Sequence, residues 1–178
     1  MADVIITSND SATYTLAAGD DYLLVSGATH YSTLNSSLVR VDSGVSDSSI
    51  VVNGAMALLG LNNAISQSDS TQSNIAISIG ANGSITADPI YRAILLFSSD
   101  SIVTNAGTIT GGEAISLQGN DSALHNSGTI FGNATTKVAP VYAISMGGEN
   151  AIFTNSGTVQ AKFGLKSSNT INFTNSGD

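Results

Sequence analysis

"TNAGT" at 104–108 returns as "HNSGT" at 125–129, "TNSGT" at 154–158 and "TNSG" at 174–177. The spacing of this recurrence decides the fold. Anchored on its glycine, the series runs through Gly27, Gly54, Gly83, Gly107, Gly128, Gly157 and Gly177, at intervals of 27, 29, 24, 21, 29 and 20 residues. A second landmark, a small residue followed by an aliphatic one, passes through Ala64-Ile65, Ala93-Ile94, Ala114-Ile115, Ala143-Ile144 and Gly164-Leu165, spaced 29, 21, 29 and 21. Both landmarks give a unit of 20 to 21 residues that is lengthened in alternate repeats. The added residues fall at "QSDSTQSN" (67–74) and "NATTKVAP" (133–140).

A period of this length marks a solenoid. Leucine-rich repeats would need several Leu at fixed offsets, which these units lack. Thr, Ser, Asn and Gly at this density oppose helical repeats. The units instead hold short alternating runs, such as "AISL" at 114–117, "AISM" at 143–146 and "AIFT" at 151–154. In the first of these Ile115 and Leu117 share one face, and Ala114 and Ser116 the other. Two or three such strands per unit, joined by Gly- and Asn-containing corners, describe one coil of a parallel β-helix. The left-handed form shows a hexapeptide rhythm that is absent here. The expectation is therefore an all-β, right-handed parallel β-helix of six to seven coils, with residues 1–35 as an N-terminal cap and 36–178 as the repeats.

Coils of such a helix stack about 4.8 Å apart, so a residue recurring once per coil becomes a column. Asn105, Asn126, Asn155 and Asn175 are expected to form an asparagine ladder, each amide bonding the next. Asn tolerates the left-handed backbone of a sharp corner, and Gly107, Gly128, Gly157 and Gly177 are expected to relax the same bend. Val103, Leu124, Phe153 and Phe173 form one apolar inward column. Ile85, Ile109, Ile130 and Val159 form another.

Composition narrows the partners. Only 10% of residues are charged, against about 25% in ordinary soluble domains. Yet 42% are hydrophobic and recur in short β-branched runs, which favours a packed β structure over disorder. Thirteen acidic and five basic residues give a net charge of −8, and the cations Arg40, Arg92, Lys137, Lys162 and Lys166 are scattered along the sequence. Nucleic acid is not an expected partner, since its phosphates need a basic surface. A glycan, a cell-surface ligand or a second copy stacked on a coil end is chemically easier. With no cysteine there is neither a disulfide nor a thiolate metal site. No apolar run approaches about 18 residues, so membrane insertion by a helix is not expected. The first residues lack the basic and apolar regions of a cleavable signal peptide. The sequence breaks off inside a repeat, as a fragment of a longer chain would.

The "NSGTI-G…AI-L-G" pattern resembles the parallel β-helix repeats of large bacterial surface and secreted proteins. These include autotransporter-type passenger regions and the N-terminal segments of haemolysin-like (RTX) proteins. "TYTLAAGDDYLLVSGA" (13–28) is similar to the start of such RTX-type chains. The resemblance implies a bacterial secreted or cell-surface location, with an export signal outside this segment. It does not imply calcium binding here, because no "GGxGxDxUx" nonapeptide occurs.

Many parallel β-helix proteins cleave or epimerise polysaccharides, chemistry that needs a carboxylate cluster or a base beside Arg or Lys. Asp100 and Asp121 stand five residues before their ladder asparagines, and Glu149 is displaced by one. Stacked on successive coils, these three could share a calcium ion, the one cofactor the sequence suggests; equally, "SSDS", "GNDS" and "GGEN" are turns whose side chains cap local backbone groups. Asp20-Asp21 reads as a β-turn. His125 replaces the Thr of its column, as a surface substitution would. The Thr108, Thr129 and Thr158 column, beside Thr104, Thr154 and Thr174, would suit an ice-binding face if it were flat and unbroken. The leading functional expectation is a non-enzymatic structural or adhesive stalk, with a polysaccharide-binding or polysaccharide-degrading domain as the alternative.

Overall fold

The computed structural model of the chain describes residues 3–42, 44–67, 69–71, 73–133 and 142–178. Twenty-one short strands and no helix appear among them, arranged in three parallel sheets of eight, six and seven strands. Each turn of the chain visits the first sheet, then the second, then the third, and returns to the first one coil further on. The strands Ile102–Asn105, Thr108–Gly111 and Glu113–Leu117 make one such coil, and Ala123–Asn126, Thr129–Gly132 and Tyr142–Met146 the next. This is a parallel β-helix of about seven coils. The right-handed sense expected from the sequence is the one that β-crossover-β connections adopt in nearly all proteins.

Register explains the two sequence landmarks. In the third sheet Ile65, Ile94, Ile115, Ile144 and Leu165 are successive partners, forming one aliphatic column. In the first sheet Tyr22, Ile50, Ile77, Val103, Leu124, Phe153 and Phe173 stack likewise. In the second, His30, Met56, Ile85, Ile109, Ile130 and Val159 do so. Alternate residues on each strand point inward, so the three columns meet along the axis and form one continuous core. The lengthened repeats leave this register intact because their extra residues fall between strands along the chain. Of 67–74, Asp69 accepts from the Thr71 amide and hydroxyl at 2.9 and 2.8 Å, closing a turn. The insertion at 133–140 lies outside the described residues beyond Asn133.

The stretch read as a cap runs in the same ladders as the rest. Val4–Ile6 pairs with Asp21–Leu24 in the first sheet, and Tyr14–Leu16 pairs with Val39–Val41 in the third. A single bridge from Asp10 to His30 extends the second. What distinguishes this end is its filling. Tyr14, Tyr22 and His30, one from each sheet, converge with ring centroids 5.6 to 6.2 Å apart. Aromatic rings thus plug the axis where the aliphatic columns begin.

Candidate functional site

The ladder asparagines are successive partners in the first sheet and stand in an inward column. Nδ2 of Asn105 donates to Oδ1 of Asn126, Asn126 to Asn155, and Asn155 to Asn175, each at 2.7 Å. All the amides point their donors the same way along the axis. At the start of the ladder Oδ1 of Asn105 accepts the Gly107 amide at 3.2 Å, so the first acceptor is satisfied locally. The second Nδ2 hydrogens reach corner carbonyls, Gly128 O at 3.2 Å from Asn126 and Gly157 O at 3.1 Å from Asn155. Asn105, Asn126 and Asn155 are buried, and each polar atom of their amides has a partner. Before the ladder the same column is aliphatic: Leu24, Val52 and Ile79 precede Asn105.

The glycines of the repeat do not serve the bend as expected. None of Gly107, Gly128, Gly157 and Gly177 has a positive φ. They are needed because coil stacks on coil at this corner. A Cβ on Gly107 would overlap the carbonyl oxygen of Gly83, one on Gly128 that of Gly107, one on Gly157 that of Gly128, and one on Gly177 that of Gly157. Gly27, the head of the series in the sequence, is not in this column. Ala28 is the partner of Gly54 by register, while Gly27 lies at φ +83° with open space where a Cβ would go. Nor do the ladder asparagines adopt the left-handed conformation expected of them; their backbone is strand.

The left-handed corner lies on the opposite side of the first sheet's strands, where the chain arrives from the third. Gly19, Asp47, Asn74, Asp100, Asp121 and Asn150 occupy it coil after coil, with φ between +54° and +73°. Asp and Asn suit it because their short polar side chains lower the cost of a positive φ. Asn74 Nδ2 donates to Asp47 Oδ1 at 2.9 Å and Asn150 Nδ2 to Asp121 Oδ1 at 3.0 Å. Asp100 and Asp121 are therefore neighbours in one exposed column, as their spacing suggested. Glu149 is not in it. Asn150 takes that place, and the Glu149 amide is bound by Oδ1 of Asn120 at 2.9 Å. Among the described residues, no three His, Cys, Asp or Glu side chains converge on a point that could hold a metal ion.

His30 is the site residue the sequence concealed. It lies fully buried at the foot of the second sheet's inward column. Nε2 donates to the Ala12 carbonyl at 2.7 Å; a carbonyl only accepts, so this nitrogen carries the proton. Nδ1 then accepts the Tyr22 hydroxyl at 2.6 Å. Burial holds the imidazole below its ordinary pKa and pushes the Tyr22 phenol well above its own. Beside them the Tyr14 hydroxyl donates to the Asp10 carboxylate. That bond holds Asp10 below the usual carboxylate range and raises Tyr14. The alternation in "THYS" does place His30 inward with Ser32, but one polar residue in an aliphatic column carries no further sequence signal. His125 faces solvent on the first sheet, 2.8 Å from the Thr154 hydroxyl.

The two threonine columns part company. Thr108, Thr129 and Thr158 belong to the second sheet, and Thr104, His125, Thr154 and Thr174 to the first, so they do not form one flat array. The chain matches no protein-family model, no curated protein and no solved structure.

Proposed function

We propose that this chain is a rigid, non-enzymatic stalk, structural or adhesive, of a bacterial secreted or cell-surface protein. The observation that carries the reading is the unbroken parallel register of the first sheet through eight strands, from Val4–Ile6 to Ile171–Asn175. Each coil packs only on its neighbours, so stability accumulates coil by coil along the stack. The asparagine ladder and the glycine column serve that stacking. Strand edges at either end of a stack carry unpaired backbone groups, which favour end-to-end association with another copy.

Mass against concentration by light scattering, with negative-stain images of the same samples, tests this. The expected result is a rod of constant width whose mean length grows with concentration. Compact particles of concentration-independent mass that release sugar fragments from a polysaccharide would replace the stalk with a glycan-degrading enzyme.

A further inference from the structure

The charges are not spread evenly over the three sheets. No strand of the first or second sheet contains Lys or Arg, whereas Arg40, Arg92 and Lys166 lie in strands of the third and Lys162 stands immediately before Phe163–Ser167. Lys137 lies outside the described residues. Scattered in sequence, the four described cations gather on one side of a chain with net charge −8. Only one acid, Glu113, lies in a strand of that sheet, and it is held by Arg92 through Nε at 2.6 Å. Arg40 is likewise paired with Asp42 at 3.1 Å. Lys162 and Lys166 pair with no carboxylate among the described residues.

The two unpaired lysines flank aromatic rings. Tyr142 follows Arg92 and Glu113 in an outward column, and Phe163 is its partner on the next coil. Their centroids are 5.7 Å apart with the rings tilted by 44°. Lys162 Nζ lies 5.6 Å from the Phe163 centroid and Lys166 Nζ 5.9 Å from that of Tyr142. Lys166 also partners Ser145 across the ladder. Phe163 is 45% exposed, and the same register column reaches solvent on earlier coils, where the Arg92 and Glu113 side chains are 41% and 21% exposed. An exposed Phe163 against a half-buried Tyr142, bracketed by cations with no acidic partner among the described residues, offers two complementary contacts. The apolar face of a sugar ring can lie on an aromatic face, while the ammonium groups reach an anionic substituent.

The geometry points to a binding site for an anionic glycan, one bearing carboxylate or sulfate groups, on the outer face of the third sheet at Tyr142, Phe163, Lys162 and Lys166. A polyphosphate is a poorer fit, because it has no apolar ring face to lie on the aromatic pair and the continuous basic track that a phosphate chain needs is missing. The site is independent of the stalk's stiffness, and losing it would leave the stacked coils intact.

Native gels cast with alginate, with dextran sulfate or with neutral dextran test the assignment on the intact chain. Retardation by alginate identifies uronate recognition and retardation by dextran sulfate recognition of sulfated sugars. Either is expected, with dextran having no effect. The double variant Lys162→Gln/Lys166→Gln, and separately Phe163→Ala, should weaken retardation about tenfold, the loss of one good charge-assisted contact. Arg40→Gln on the same sheet should not. Far-UV circular dichroism melts confirm that each variant is folded, and the lysine pair, being exposed, keeps the test decisive if Phe163→Ala is not. No retardation by either acidic polymer, retardation unchanged in the folded lysine variant, or equal competition by duplex DNA or phosphatidylglycerol vesicles would each overturn the proposal.

Discussion

The Tyr22 hydroxyl donates to Nδ1 of His30 at 2.6 Å, and the two rings lie stacked with centroids 5.8 Å apart and an interplanar angle of 27°. Burial keeps the imidazole neutral inside the N-terminal end of the core, and this gives folding a pH dependence. The pKa of His30 is lowered in the fold, so the unfolded chain takes up a proton first as pH falls. Stability contributed by neutral His30 is therefore complete above the ordinary value of about 6.5 and is lost as pH drops from there toward the folded value. Asp10 adds a second loss further down, since its lowered pKa stabilises the fold only above the ordinary carboxylate range. Urea unfolding between pH 7.5 and 5 should show stability declining with acid in the parent chain and much less in His30→Phe. An equal slope in both would mean that the imidazole is not the group responsible.

The ladder makes a sharper demand. Asn126 accepts from Asn105 and donates to Asn155. Truncating it to Ala orphans a donor on one side and an acceptor on the other, where neither can reach water. A buried amide group left unpaired costs about 1–3 kcal/mol, so Asn126→Ala should lower Tm by roughly 2–12 °C in a chain of this size. Asn155→Ala should behave similarly, and Ser156→Ala, at an exposed corner position, should shift Tm by about 1 °C or less. Equal, small effects by calorimetry would remove the ladder as a stabilising feature.

The ladder and the aliphatic columns were readable because each follows from period alone. Once the unit is known, residues one period apart must stack, and Ile94, Ile115 and Ile144 or Asn126 and Asn155 can be paired without coordinates. The glycine column was located by the same logic but given the wrong cause, since a sequence shows that a side chain is forbidden and not whether conformation or a neighbour forbids it. The turns at "SSDS", "GNDS" and "GGEN" were legible, but not the left-handed position they share with earlier coils, because three residue types occupy it: Gly19, Asn74 and Asp100 satisfy one backbone requirement in different ways. The gathering of cations on one sheet was invisible for another reason. Arg40 and Lys166 belong to one column of the third sheet although 126 positions separate them.

Stacking, not bending, predicts how the repeat glycines respond to substitution. In Gly128→Ala the new methyl group meets the backbone carbonyl of Gly107, which cannot rotate away without breaking the ladders on both sides. Overpacking of this kind costs about 3 kcal/mol. In Gly27→Ala there is open space, and only the positive φ is penalised, at about 1 kcal/mol. Urea midpoints for the two variants should differ in that order. The reverse order would restore the bend as the reason for the repeat glycine.

The left-handed column carries one mismatch that a single substitution can repair. Where an Asn follows an Asp, as Asn74 follows Asp47 and Asn150 follows Asp121, its amide donates to the carboxylate one coil back. Where Asp121 follows Asp100 there is no donor, and two like charges sit on adjacent coils at the same register position. Like charges directly opposite in a sheet are destabilising, and at this exposed corner salt screens them. Asp121→Asn supplies the missing donor to Asp100 and still leaves an amide oxygen for Asn150. It should raise Tm by about 1–3 °C at low ionic strength, with a smaller gain in 1 M salt where the repulsion is already screened. Calcium sharpens the interpretation. If the parent chain gains Tm with millimolar calcium and Asp121→Asn does not, the two carboxylates hold an ion between them; if both are indifferent, the column is a set of turns whose polar side chains meet the needs of a positive φ.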